Sequence, residues 1–78
     1  MRRPHTRARL LSQYAGFLDR FRGRCDLAAA YHRRAVAADP DDAAIRGRYA
    51  VFLETAVGDF DAAEAEYLAA LALTPNDP

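Results

Sequence analysis

The sequence has few of the residues that build cross-links, phosphate-binding loops and membrane spans. Its single cysteine, Cys25, excludes an intramolecular disulfide framework and favours a reducing compartment, so a cytoplasmic location is expected. The four glycines are isolated from one another, so no glycine-rich phosphate loop is present. No stretch approaches about 18 consecutive apolar residues, and no apolar run follows the basic first residues. We therefore expect neither a transmembrane helix nor a signal peptide.

Proline is also scarce. Pro40 is the only proline between Pro4 and Pro75, which leaves two long windows in which helices can run. Alanine, the strongest helix former, is frequent in both windows. The 78 residues have room for one small domain with a modest core. These features predict an all-α fold.

Lysine is missing altogether. All eleven basic residues are arginines, which together with the alanine content is typical of a bacterial genome rich in G and C. The charges are segregated, because residues 1–34 carry nine Arg against two Asp, a balance of +7, whereas residues 35–78 have a balance of −7. This asymmetry favours contact between the two halves of one molecule, or between the basic end of one molecule and the acidic end of another.

An internal repeat is present in the chain. A shift of 35 residues places residues 8–42 over residues 43–77 without a gap, and 13 of the 35 pairs are identical. In each copy, apolar residues recur at helical spacing until a glycine, Gly23 or Gly58, where the first helix should end. Asp59 is placed to cap the second helix of copy two, and Asp41 or Asp42 to cap the helix after Pro40. We expect helix, turn and helix, twice over.

The helical spacing also predicts the buried faces. Those of the first helices are Leu11, Tyr14, Ala15 and Leu18 in copy one, and Ile45, Tyr49, Ala50, Phe52 and Leu53 in copy two. Those of the second helices are Cys25, Ala28, His32, Ala35 and Val36 in copy one, and Phe60, Ala63, Tyr67, Ala70 and Leu71 in copy two. Cys25 and His32 are thus interpreted as core residues and not as a ligand pair, since a zinc site needs about four ligands.

The spacing in and after the second helices resembles the tetratricopeptide repeat. That motif places a glycine, an alanine, an aromatic residue, an alanine and a proline at fixed intervals. Copy two matches it with Gly58, Ala63, Tyr67, Ala70 and Pro75. Copy one matches it with Gly23, Ala28, His32, Ala35 and Pro40, where histidine replaces the aromatic residue. The period is 35 because the turn between the two helices has one residue more than the usual motif. The first-helix pattern Tyr-Ala-x-Phe-Leu-acid is also similar to the half-a-tetratricopeptide variant.

The resemblance implies a short right-handed α-solenoid of four antiparallel helices. Its two helix-turn-helix repeats would be residues 8–42 and 43–77, after a basic arm at residues 1–7. It implies a scaffold without enzymatic activity, cofactor or metal that binds a peptide or protein segment on the concave face of its first helices. The residues expected on that face are Arg9, Ser12, Gly16, Asp19, Arg20, Gly47, Val51, Glu54 and Thr55.

Two other kinds of contact remain open. A solenoid unit buries its face only against neighbours, so the last helix should leave Tyr67, Leu68, Leu71 and Leu73 partly uncovered. Such a stripe would serve self-association, a separate protein or the continuation of a longer array. Alternatively, the arginine-rich first third would contact nucleic acid or an anionic surface, and that binding should fall steeply with salt.

Overall fold

The protein, described here by a computed structural model covering residues 4–74 and the side chains of residues 6–74, consists of α-helices joined by short turns. The helices are α1 (Pro4–Arg22), α2 (Cys25–Ala38), α3 (Ala43–Phe52) and α4 (Phe60–Leu73), and a π-helical segment, Leu53–Val57, extends α3. The described residues contain no β-strand. The predicted all-α fold is confirmed.

Glycine ends the first helix of each hairpin as predicted. Gly23 and Gly58 have φ angles of 60° and 77°, in the left-handed region that glycine enters without steric cost. At the other limit, α1 already includes residues 4–7, which the sequence analysis assigned to a basic arm. Residues 1–3 of that arm, and Pro75, lie outside the described residues.

Aspartates begin α3 and α4. The Asp42 carboxylate accepts hydrogen bonds from the backbone N–H groups of Ala44, at 3.0 Å, and Ile45, at 3.3 Å. The Asp59 carboxylate accepts one from Ala62, at 3.0 Å. Both predicted caps are confirmed, and each satisfies N–H groups that have no partner within the helix.

The extra residue of the 35-residue period widens the end of each first helix. The backbone N–H of Arg24 donates to the carbonyl of Leu18, and that of Asp59 donates to the carbonyl of Leu53, both at 3.0 Å. Each bond closes over six residues, where an α-helical bond closes over four. In the second copy the widened turn is the π-helical segment Leu53–Val57. The two copies therefore accommodate the additional residue at equivalent positions.

The helices pack as two hairpins, α1 on α2 and α3 on α4, and α3 also contacts α1 and α2. Fully or almost fully buried alanines, including Ala15, Ala28, Ala50 and Ala63, let the paired helices approach closely. The larger side chains of α3 fill the space between the hairpins: Ile45 packs against Ala8 and Ala35, and Phe52 against Leu18 and Ala28. These contacts stack the second hairpin on the first.

Five residues predicted to be buried are exposed. Cys25 lies exposed at the start of α2, and Tyr14, Phe60 and Leu71 are exposed by 46%, 69% and 66%. These side chains are exposed because the apolar stripe of a helix is covered only where another helix packs on it. Cys25 and Phe60 occupy equivalent positions in the first turn of a second helix, beyond the reach of the neighbouring helices. The fifth is Tyr67, which is 36% exposed, and the remaining predicted core positions are buried or half-buried. The exposure of Tyr67 and Leu71 agrees with the uncovered stripe expected on the last helix.

Candidate partner-binding groove

A groove of about 770 Å³ crosses the first helices of both hairpins. Seven of the nine residues predicted on the concave face line it, and the structure thus brings both repeats to one surface. They are Ser12, Gly16, Asp19 and Arg20 of α1, Gly47 and Val51 of α3, and Thr55 of the π-helical segment. The residues 35 apart in sequence, such as Ser12 and Gly47 or Arg20 and Thr55, lie on equivalent faces because the two hairpins repeat one geometry.

The other two predicted residues, Arg9 and Glu54, lie beside the groove. Arg9 Nε donates to Asp42 Oδ2 at 3.0 Å, and this contact, with the backbone hydrogen bonds of the cap, holds the pKa of Asp42 below its usual value against the opposing effect of burial. Glu54 Oε1 accepts a hydrogen bond from the Tyr67 hydroxyl at 2.8 Å, which raises the pKa of that phenol. Both side chains are therefore engaged with neighbouring elements.

The groove also contains residues that the sequence analysis did not predict. These are Gln13, His32, Ala44, Arg48, Phe52 and Tyr67. Gln13 and Arg48 are equivalent by the 35-residue shift. Each directly follows a predicted groove residue, Ser12 or Gly47, and this shared position was the signal in the sequence that could have identified them. His32 and Tyr67, from the second helices, are also equivalent. They reach the groove because of the angle at which the helices cross, and the sequence pattern does not define that angle.

The groove lining contains two arginines, Arg20 and Arg48, and one acid, Asp19. Within the described residues the ion pairs are Arg9–Asp42, Arg24–Asp26 and Arg46–Glu66. Neither Arg20 nor Arg48 has a carboxylate oxygen within 4 Å in that part of the chain. The Arg20 side chain folds over Gly16, where its Nη2 would lie 3.6 Å from an added Cβ. The two guanidinium groups are thus available to a ligand, since each offers several donors to a carboxylate.

Two residues of the groove wall carry buried polar atoms without a hydrogen-bond partner. Ser12 and His32 are only 1% and 3% exposed, and Ser12 Oγ and His32 Nδ1 make no hydrogen bond within the described residues. Buried polar atoms are paired in the large majority of cases, because an unpaired one costs about 1–3 kcal/mol. Both atoms are shielded by the groove wall itself, so they cost stability without facing a ligand in the groove.

Burial lowers the pKa of His32 to about 4, and the charge of Arg48 acts in the same direction, whereas Asp19 opposes the shift. The ring is packed against Phe52, with centroids 4.8 Å apart, and against Tyr49, at 5.8 Å. His32 is consequently neutral near pH 7. Its predicted role as a core residue is confirmed.

Glycine occurs twice inside helices, and both times in the groove. Gly16 lies in α1 and Gly47 in α3, where glycine is less stable than alanine by about 1 kcal/mol. A Cβ on Gly47 would meet nothing within 4 Å, and a Cβ on Gly16 would make only an ordinary contact with the Arg20 side chain. Packing within the chain therefore does not require either glycine.

The described residues contain no group of three or more His, Cys, Asp or Glu side chains placed to hold a metal ion. None of their helices is both long enough and apolar enough to cross a bilayer.

The sequence was compared with known families, curated proteins and solved structures. The sequence model of the tetratricopeptide repeat family matches residues 22–78, which is more than half of the 78-residue chain. No curated protein and no solved structure gives a significant match.

Proposed function

Because the chain belongs to the tetratricopeptide repeat family, we propose that it is a protein-interaction module that binds a segment of a partner protein in the groove between α1 and α3. The observation that carries this proposal is the pair of helix-interior glycines, Gly16 and Gly47. Each costs helix stability and neither is needed for internal packing. Glycine at such positions allows another backbone to approach a helix closely.

The lining of the groove indicates which segment it would bind. Arg20 and Arg48 favour an acidic side chain, since neither is paired with a carboxylate in the described part of the chain. Val51, which is 48% exposed, offers apolar area beside them. The proposed ligand is a segment that carries a carboxylate next to apolar side chains.

We propose no reaction in the groove. A serine becomes a nucleophile when a base accepts its proton, and Ser12 Oγ has no hydrogen-bond partner within the described residues. Cys25, the other candidate nucleophile, is exposed at the start of α2 and is not among the residues of the groove. The proposed role is therefore binding alone, in the cytoplasm.

Selection of short random peptides on the immobilised chain, followed by fluorescence anisotropy of the selected peptides, tests the proposal. Selected peptides should contain Asp or Glu, and Arg48→Gln should weaken them by about tenfold or more, since a charge-assisted hydrogen bond contributes roughly 1.5–3 kcal/mol. Arg33→Gln is the matched control, because Arg33 is exposed on α2 and outside the groove. Equal loss in both variants, or in neither, would contradict the groove as the binding surface.

Titrations of the same chain with oligonucleotides and anionic vesicles test the alternative that the arginine-rich first third binds nucleic acid or an anionic surface. Two arginines of that region, Arg9 and Arg24, are already paired with Asp42 and Asp26. If nucleic acid were the ligand, single-stranded and duplex oligonucleotides would bind at low salt, and their affinity would fall steeply as salt is added. We expect no such binding.

A further inference from the structure

Each end of the described structure exposes residues equivalent to one side of the interface between the two hairpins. In the interface between the hairpins, α3 inserts Ile45 and Phe52, which are 1% and 3% exposed, and the half-buried Tyr49. The 35-residue shift converts these residues into Leu10, Phe17 and Tyr14 of α1. All three are apolar or aromatic as well, but they are exposed by 61%, 40% and 46%. We call Leu10, Tyr14 and Phe17 the donor face.

The surface that receives α3 is repeated in the same way. Phe52 is seated against Ala28 and His32 of α2, and the equivalent residues of α4 are Ala63 and Tyr67. These two residues line an open depression of about 370 Å³ together with Glu54, Phe60, Glu64 and Leu68. Val36, which packs in the cluster that contains Ile45, corresponds to Leu71, which is 66% exposed. We call Ala63, Tyr67, Leu68 and Leu71 the acceptor face.

The helices that bear the two faces carry opposite net charges. α1 has four arginines and one aspartate, a balance of +3, whereas α4 has three acids and no basic residue, a balance of −3. Contact between copies of α1 would bring like charges together, and so would contact between copies of α4. An α1 face on an α4 face brings opposite charges together, which favours that pairing and steers the encounter.

We propose that a second copy of this chain docks its donor face on the acceptor face, so that copies associate head to tail and continue the stacking of the two hairpins. Phe17 of one copy fills the depression beside Ala63 and Tyr67 of the other, as Phe52 does internally, and Leu10 packs on Leu71. The contact is heterologous, since each copy uses one face for each neighbour, and it propagates instead of closing at a dimer.

One difference makes this contact weaker than the internal one. Near the acceptor face, Arg46 and Glu66 occupy the positions equivalent to Leu11 and Tyr31, which pack in the internal interface. These two charges are already joined at 3.0 Å, so docking leaves neither of them unpaired, but removing the pair from water offsets part of the gain. We therefore expect reversible association that increases with protein concentration and decreases with salt.

Sedimentation velocity of the full chain and of two variants tests the proposal. Leu10→Glu disables the donor face and Leu71→Glu disables the acceptor face, and both positions are more than half exposed, so helicity by circular dichroism should be retained. The wild type should form species larger than a dimer as concentration rises. Each variant alone should be monomeric, with association weakened by about tenfold or more, because a carboxylate would enter an apolar contact.

An equimolar mixture of the two variants is the decisive sample. Each variant retains one intact face, so the mixture should form a one-to-one dimer and nothing larger. Ala37→Glu, on the exposed side of α2, should associate like the wild type. A wild type that stays monomeric at every concentration would overturn the proposal. So would a Leu10→Glu variant that still dimerises alone, because that result would indicate a two-fold contact between α4 helices.

Should Leu10→Glu fail to fold, Phe17→Glu replaces it as the donor-face variant. This experiment is independent of the proposed peptide-binding function, because Leu10 and Leu71 do not line the groove. Loss of self-association would leave peptide binding unchanged, and absence of a peptide ligand would leave self-association unchanged.

Discussion

His32 belongs both to the packed interface between the hairpins and to the lining of the proposed binding groove. It packs between hairpins through Tyr49 and Phe52, and its Nδ1 is buried without a hydrogen-bond partner in the described chain. A tyrosine, Tyr67, stands at the equivalent position of the second hairpin. An aromatic ring at position 32 would thus pack as well as the imidazole does. Packing alone does not explain why the residue has a buried polar atom, Nδ1.

The pKa of His32 predicts how stability depends on pH. The folded pKa is about 4 and the ordinary value is 6.5, so between these values the unfolded chain binds a proton that the folded chain does not. Stability is therefore fully present above pH 6.5 and falls as the pH decreases towards 4, by roughly 3 kcal/mol in total. Asp19 of α1 and Arg48 of α3 are the charged groups that modulate the shift.

Urea unfolding of the wild type and of His32→Phe, followed by circular dichroism between pH 7 and pH 4.5, measures this contribution. The variant should be at least as stable as the wild type at pH 7 and should lose much less stability on acidification. The comparison cancels the contribution of the other histidine, since both proteins contain it. Parallel pH profiles for the two proteins would show that His32 is not buried in its neutral form.

Two glycine-to-alanine substitutions are predicted to act in opposite directions, because the glycines belong to different parts of the helices. Gly47 lies inside α3, where an added Cβ would meet nothing within 4 Å, so Gly47→Ala should stabilise the fold by about 0.5–1 kcal/mol. Gly58 ends the π-helical segment with φ at 77°, so Gly58→Ala should destabilise it by about 1 kcal/mol or more. Chemical denaturation of both variants under one condition measures the difference.

If Gly47 serves a bound partner, its replacement by alanine should affect peptide binding as well as stability. Gly47→Ala should weaken the selected peptides while it stabilises the protein, because the methyl group occupies space that the partner backbone would use. Ala44, another groove residue of α3, offers a comparison, since Ala44→Gly should lower stability without blocking the groove. If Gly47→Ala were more stable and bound peptides equally well, the glycine would not serve a partner at that position.

Local chemistry made the element ends predictable from sequence. The stops at Gly23 and Gly58 and the caps at Asp42 and Asp59 depend on residues within a few positions, and the structure confirms them. The form of the widened turn was not predictable, because a 35-residue period gives the number of residues in a repeat and not their hydrogen bonds. The exposure of Tyr14 and Phe60 was missed because the helical pattern identifies an apolar stripe without showing what covers it, whereas that of Leu71 was expected from the uncovered last helix.

The candidate groove was partly predictable for the same reasons. Residues of the first helices, such as Gly16 and Val51, follow from the periodicity of α1 and α3 alone. His32 and Tyr67 reach the groove from the second helices, and the crossing of the helices determines this. Equivalence between copies was the stronger signal, because it relates Gln13 to Arg48 and both lie in the groove.

At the scale of the whole molecule, both hairpins contribute residues to the groove. The groove takes residues from α1, α2, α3 and α4, so it exists only while the hairpins remain stacked. The charges segregate along the chain, with +7 in residues 1–34 and −7 in residues 35–78. The groove combines arginines from both regions, whereas the donor and acceptor faces separate the two signs. Binding of a segment and association of copies thus use surfaces that have only Tyr67 in common.

The central claim is that the groove between α1 and α3 binds a partner segment, and a nuclear magnetic resonance titration of the isotope-labelled chain with a selected peptide tests it most directly. The backbone amide signals of Gly16, Gly47 and Val51 should shift in proportion to peptide added, while those of Ala37 and Leu71, outside the groove, should remain in place. Shifts confined to α4 or to the outer side of α2, with the glycine signals unmoved, would contradict the claim.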